Sequence, residues 1–111
     1  MLEQAAAFIR DRGWGGDYEL IFSGGTLLEL TDKGASKGGM VLRLSRRLGI
    51  AREHIYCVGD EANDISMLTA ARMGFAPENC AAAVRACGAR IVSPAWENAL
   101  ADVVEILDGI Y

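Results

Sequence analysis

The sequence predicts an α/β fold of alternating helices and parallel strands, preceded by a helix and a hairpin. From residue 36 onward, helical segments with an apolar stripe alternate with short apolar runs, as the crossover units of a parallel sheet do. The first 33 residues depart from this alternation. The change places a boundary near Asp32–Gly34 and divides the chain into 1–33 and 34–111.

Leu2, Ala5, Ala6 and Ile9 recur at helical spacing, which predicts an amphipathic helix over 2–12 ending near Gly13. Residues 18–22 and 26–30 read as two short strands, and Ser23-Gly24-Gly25 between them suits a tight antiparallel turn. A loop rich in Gly, Lys and Ser leads into a helix over 37–48. Its stripe is Met40, Val41, Leu44 and Leu48, and Gly49 stops it. Arg43, Arg46 and Arg47 lie on the other side and read as a solvated face. Residues 54–58 form an apolar strand running into Gly59-Asp60, and a helix over 63–73 turns Ile65, Leu68 and Ala71 inward. Strands at 74–76 and 90–92 flank a helix over 80–86. The last helix, 97–107, carries Leu100, Val103, Val104 and Leu107 on one face. Trp14 and Trp96 are expected to pack, and His54, Arg85 and Arg90 to sit at the surface.

The chain has 111 residues, 51% hydrophobic and 23% charged, which allows one modest core. No apolar run approaches membrane-spanning length, and the N-terminus has no basic region followed by an apolar one. The three cysteines are odd in number and form no Cys-x-x-Cys pair, and there is a single histidine. A disulfide framework and a zinc site are thereby disfavoured, and buried free thiols in a reducing cytoplasm are expected. Residues 34–58 carry five basic groups and one acidic group, yet the whole chain has a net charge of −4 and makes a poor nucleic-acid binder.

The chemistry concentrates where the 54–58 strand ends. Ligands of parallel α/β sheets bind beyond the carboxyl ends of strands, and Gly59-Asp60-Glu61-Ala62-Asn63-Asp64 follows such an end. Asp60 and Asp64 span a strand-to-helix turn, so both carboxylates are expected to converge on one point, and hard oxygen donors suit Mg²⁺. Gly59 is expected to let the backbone turn and keep the space above it open. Asn63 adds an amide for a phosphate oxygen. A simpler role for Asp60 and Asn63 is to cap the next helix, but two Asp and one Asn in six residues after an apolar strand favour a metal site. An EF-hand is excluded, because its alternating ligands and closing Glu are missing. Lys37 opens a helix against the helix dipole, which an ammonium aimed at a phosphate site would explain.

These residues resemble a known family. Leu28-Glu29-Leu30 followed by Gly34-Ala35-Ser36-Lys37-Gly38 resembles the entry from cap to core in Cof-type phosphatases (subclass IIB, cap C2) of the haloacid dehalogenase superfamily. Residues 59–68, Gly-Asp-Glu-Ala-Asn-Asp-Ile-Ser-Met-Leu, resemble that family's fourth motif, and 74–80, Gly-Phe-Ala-Pro-Glu-Asn-Cys, the segment after it. The resemblance implies the C-terminal half of a Rossmann-like hydrolase core over 34–111, with 1–33 as the tail of an α+β cap. It also implies a small phosphorylated substrate such as a sugar phosphate. Lys37 would contact nucleophile and phosphate, Asn63 would position phosphate, Asp60 would bind Mg²⁺, and Asp64 would hold a metal-bound water. The family's Asp-x-Asp pair is absent, since no two aspartates here are separated by one residue. The chain is therefore expected to start inside the cap, to be inactive alone, and to self-associate or need a partner fragment through its incomplete sheet. The alternative is a non-catalytic binding or assembly module derived from that fold.

Overall fold

The computed structural model describes all residues, 1–111. In chain order the elements are α1 (Leu2–Asp11), β1 (Tyr18–Ser23), β2 (Leu27–Asp32), α2 (Lys37–Leu48), β3 (Tyr56–Val58), α3 (Ile65–Ala70), β4 (Met73–Pro77), α4 (Ala82–Ala86), β5 (Arg90–Val92) and α5 (Ala99–Asp108). They build two separate sheets: the β1–β2 hairpin and a three-stranded sheet in the order β3-β4-β5. The hairpin is antiparallel and the second sheet wholly parallel.

Local chemistry accounts for most boundaries. Gly24 and Gly25 take positive φ of 57° and 70°, as a primed hairpin turn needs, and Ser23 pairs with Leu27 across it. The second strand therefore starts one residue later than the turn composition suggests. α2 has the predicted limits: the Ser36 hydroxyl accepts from Gly39 N at 3.1 Å, and Gly49 closes the helix at φ 67°.

α3 is shorter than expected. A 3₁₀ turn, Ala62–Asp64, precedes it, and Met73 belongs to β4. The Arg52 guanidinium donates to the carbonyls of Thr69, Ala70 and Ala71 at 3.1–3.3 Å and so satisfies the helix end early. β3 is likewise shortened, because Arg52–His54 forms a 3₁₀ turn before it. The last two helices start two residues later than predicted, at Ala82 and Ala99.

The parallel sheet buries side chains on both faces. Cys57 and Ala76 meet Leu68, Ala71 and Val84 on one side. Phe75 and Val92 meet Ala99 and Val103 of α5 on the other. Three expectations about packing fail. On α2 Gly38 is buried and Val41 and Leu42 are half-buried, whereas Met40, Leu44 and Leu48 are exposed. On α5, Val103 is buried but Leu100 and Val104 face outward. Trp14 and Trp96 are exposed rather than packed. On the two helices the apolar periodicity is real, but no element of this chain lies over the exposed part of the stripe.

All three thiols are free. Cys57 is buried, which pushes its pKa up, while Cys80 and Cys87 are only half-buried. No helix is long and apolar enough to cross a membrane.

Phe75 is fully buried. Phe75→Ala is expected to lower stability by about 3–5 kcal/mol. Leu44→Ala, on the exposed stripe, should change it by less than about 0.5 kcal/mol. Urea unfolding followed by circular dichroism checks both.

Candidate active site

The start of the loop after β3 is pinned twice: Gly59 N donates to Phe75 O of β4 at 3.1 Å, and Ala81 N, just ahead of α4, donates to Asp60 O at 2.8 Å. Within it, the Asp64 side chain turns back. Its Oδ2 accepts from the backbone N–H of Asp60 at 3.0 Å and of Glu61 at 3.1 Å. That fold-back lies directly over Gly59, where an added Cβ would stand 2.5 Å from Asp64 Cβ. Gly59 is thus required by a close approach, and the space above it, expected to be open, is filled by Asp64.

The other oxygen of Asp64, Oδ1, accepts from Lys37 Nζ in an ion pair. The Asp64 side chain is 7% exposed and that of Lys37 50%, so the pair sits at the rim with its carboxylate inside. Two contacts aim Lys37. Gly38 is buried against the backbone of Ser66, leaving no room for a Cβ, and its N–H donates to Ser66 Oγ at 3.0 Å. The start of α2 is therefore pressed onto α3, and the residue before Gly38 reaches the loop. Lys37 Nζ also lies 3.5 Å from Asn63 Oδ1, and Asn63 Nδ2 donates to Ser23 Oγ at 3.2 Å. The tip of the β1–β2 hairpin is thereby joined to the site.

Burial raises the Asp64 carboxyl, but the Lys37 hydrogen bond, the Glu61 and Asp60 amides and the ammonium charge outweigh it. The result lies below the ordinary carboxylate value.

The structure brings Lys37, Asn63 and Asp64 together and sets Asp60 apart from them. Asp60 is exposed, and lines a cavity of about 450 Å³ with Val58, Gly59, Pro77 and the start of α5, beyond the carboxyl ends of β3 and β4. Asp64 meets the backbone of Asp60 through its carboxylate. Both Asp64 oxygens have protein donors, and no three acidic, His or Cys groups cluster. The capping considered for Asp60 and Asn63 is made instead by Glu61 and Asp64, as a capping box on the 3₁₀ turn Ala62–Asp64, and α3 itself has no side-chain cap. Ser23 and Ser66 were not singled out in the sequence; both depend on contacts across 28 or more residues, which no local pattern signals.

The family model for haloacid dehalogenase-like hydrolases matches residues 4–104. A phosphoglycolate phosphatase of Methanoculleus marisnigri is 37% identical over 77 residues, 69% of this chain and 32% of that protein. The structure of a haloacid dehalogenase-like hydrolase from B. subtilis superimposes with a TM-score of 0.80 at 30% identity, over 93% of this chain and 36% of that one. The subclass IIB sugar phosphatase BT4131 shares the fold, with a TM-score of 0.77 at 24% identity over 89% of this chain. The chain thus spans about a third of the length of these relatives.

Asp64→Asn is expected to lower stability at pH 7 by about 1–3 kcal/mol, since a buried acceptor and a charge partner are lost. Because the Asp64 pKa is depressed on folding, its contribution is present above the unfolded value of about 4 and fades as pH falls through the folded value. Urea midpoints for both proteins between neutral and acidic pH should therefore converge at the acid end. Gly59→Ala should behave like Asp64→Asn, and a fully stable Gly59→Ala would contradict the close approach.

Proposed function

This chain belongs to the haloacid dehalogenase-like hydrolases, and from that membership we propose that it supplies one wall of a phosphatase acting on a small phosphorylated metabolite, such as a sugar phosphate. The observation that carries this reading is the Lys37 ammonium, held by Asp64 beside Asn63, in the same loop whose Asp60 presents a free carboxylate to the strand-end cavity.

In this reading, residues 34–111 act as the C-terminal half of the core and 1–33 as the tail of a cap, in keeping with the two separate sheets. Lys37 neutralises charge on the phosphate, and the buried carboxylate of Asp64 fixes its position at the rim. Asn63 orients the phosphate beside Lys37, with its own amide held by Ser23. The donor set fits Mg²⁺ in part. The exposed carboxylate of Asp60 is one hard oxygen ligand, and Mg²⁺ needs only one or two carboxylates besides water. Asp64, with both oxygens engaged, would serve through a bound water. When bound, the metal neutralises charge on the phosphoryl group during its transfer. The attacking carboxylate comes from a segment outside these 111 residues, since none of the aspartates here forms the Asp-x-Asp pair. Three unpaired thiols suit a reducing cytoplasm.

A second reading, a non-catalytic binding or assembly module, is favoured by one observation: Asp64 and Gly59 have complete structural roles without any ligand. Magnesium titration of the 111-residue chain, followed by calorimetry, separates the two. Weak binding that Asp60→Ala abolishes supports the phosphatase wall, and indifference to magnesium supports the module. The chain alone should show no phosphatase turnover on sugar phosphates; robust magnesium-dependent hydrolysis would mean that the nucleophile lies within it.

A further inference from the structure

The candidate active site occupies the carboxyl ends of β3 and β4. At the opposite, amino ends of β4 and β5 lies a second cavity of about 430 Å³, bounded by the C-terminal ends of α3 and α4. Three arginines from separate segments line it: Arg52 ahead of β3, Arg72 directly before β4, and Arg90, the first residue of β5. No aspartate or glutamate lines it. The one ion pair of the structure is Lys37–Asp64, so none of the three guanidinium groups has a carboxylate partner.

Structural duties account for part of this charge. Arg52 caps the carbonyls at the end of α3 through Nε and Nη2. Arg72 Nη1 donates to Glu53 O and to the Tyr56 hydroxyl, both at 3.2 Å, which leaves its Nε and Nη2 without partners. That fork matches two oxygens of one phosphate. Arg90 is exposed and has no side-chain partner at all.

The backbone beside Arg90 adds donors. Cys87 is right-handed, at φ −81° and ψ −2°, and Gly88 follows at φ 90°. Such a succession turns consecutive N–H groups to one side and forms an anion-binding concavity. Helix ends of this kind ordinarily fold those groups back onto helix carbonyls. Here Cys87 N does so, 3.1 Å from Val84 O, whereas the N–H groups of Gly88 and Ala89 have no acceptor in the protein. Nothing lies within 4 Å of where a Gly88 Cβ would stand, so the approach is open.

We propose that this cavity is a second, non-catalytic anion site, where the phosphoryl group of a small phosphorylated molecule is held by Arg72, Arg90 and the N–H groups of Gly88 and Ala89. The carbonyl ends of α3 and α4 oppose an anion here, and the Arg52 cap offsets that opposition at α3. The volume lies within the range of about 300–1,000 Å³ usual for small-molecule pockets. Leu68, Met73 and Cys87 offer the rest of the ligand an apolar wall. The site contains no residue of β3, whose outer edge is open, and uses none of Lys37, Asp60, Asn63 and Asp64.

Nitrogen-15 NMR titration of the 111-residue chain with inorganic phosphate, and separately with glucose 6-phosphate, tests the site at ionic strength held constant with sodium chloride. The expected result is saturable shifts of the Gly88 and Ala89 amide resonances, with an affinity that Arg90→Gln lowers by roughly tenfold or more. Arg90 has no partner to lose, and an unchanged spectrum away from the cavity confirms that the variant is folded. Equal affinity for the two probes assigns the site to the phosphoryl group alone, and tighter binding of the ester adds the apolar wall; either result sustains it. No saturable shift at these two amides, shifts that Arg90→Gln leaves intact, or the same shifts produced by sodium chloride alone would each overturn it.

Discussion

The buried carboxylate of Asp64 is the constraint around which the site is arranged. An ionised group removed from water must find donors, and Asp64 finds three: Lys37 Nζ and the backbone N–H groups of Asp60 and Glu61. Each donor enforces something else. The two backbone bonds fold the side chain over Gly59, which excludes a Cβ there. The lysine bond draws the start of α2 to the loop, which requires Gly38 to lie flat against Ser66. The start of α2 and a loop 27 residues later are thus coupled through one carboxylate.

This arrangement divides labour between the two aspartates of the loop. Asp64 is committed to internal donors and keeps its charge, whereas Asp60 remains exposed at the strand-end cavity and free to meet a ligand. Asn63 sits between them in the chain and connects outward, to Lys37 on one side and Ser23 of the hairpin on the other. A movement of the hairpin is therefore felt at the amide beside the ammonium.

The same chain is poorly covered elsewhere. Only 14 of its 111 residues are buried, which divides the interior into two small clusters, one on each face of a three-stranded sheet. The exposed stripes of α2 and α5 keep the apolar periodicity of buried helices, and both border the open edge of β3. Periodicity records which side of a helix is meant to be covered, and leaves open which polypeptide covers it.

The sequence by itself determined the local features. The extent of α2 follows from its apolar stripe and Gly49, the hairpin from Gly24-Gly25, the strand limits of β5 from its short apolar run, and the location of the site from an acidic loop after an apolar strand. These depend on caps, turns and alternation among near neighbours, where physical cause and residue spacing are legible together. Tertiary structure decided the rest. That Leu44, Leu100 and Trp96 are exposed, that α3 ends early under Arg52, and that Ser23 reaches Asn63 all depend on groups distant in sequence. The loop shows the difference most clearly. Its composition identifies oxygen donors at a strand end, but only the packed structure assigns Asp64 inward to Lys37 and leaves Asp60 outward, because desolvating a carboxylate is tolerated only where donors from other segments converge.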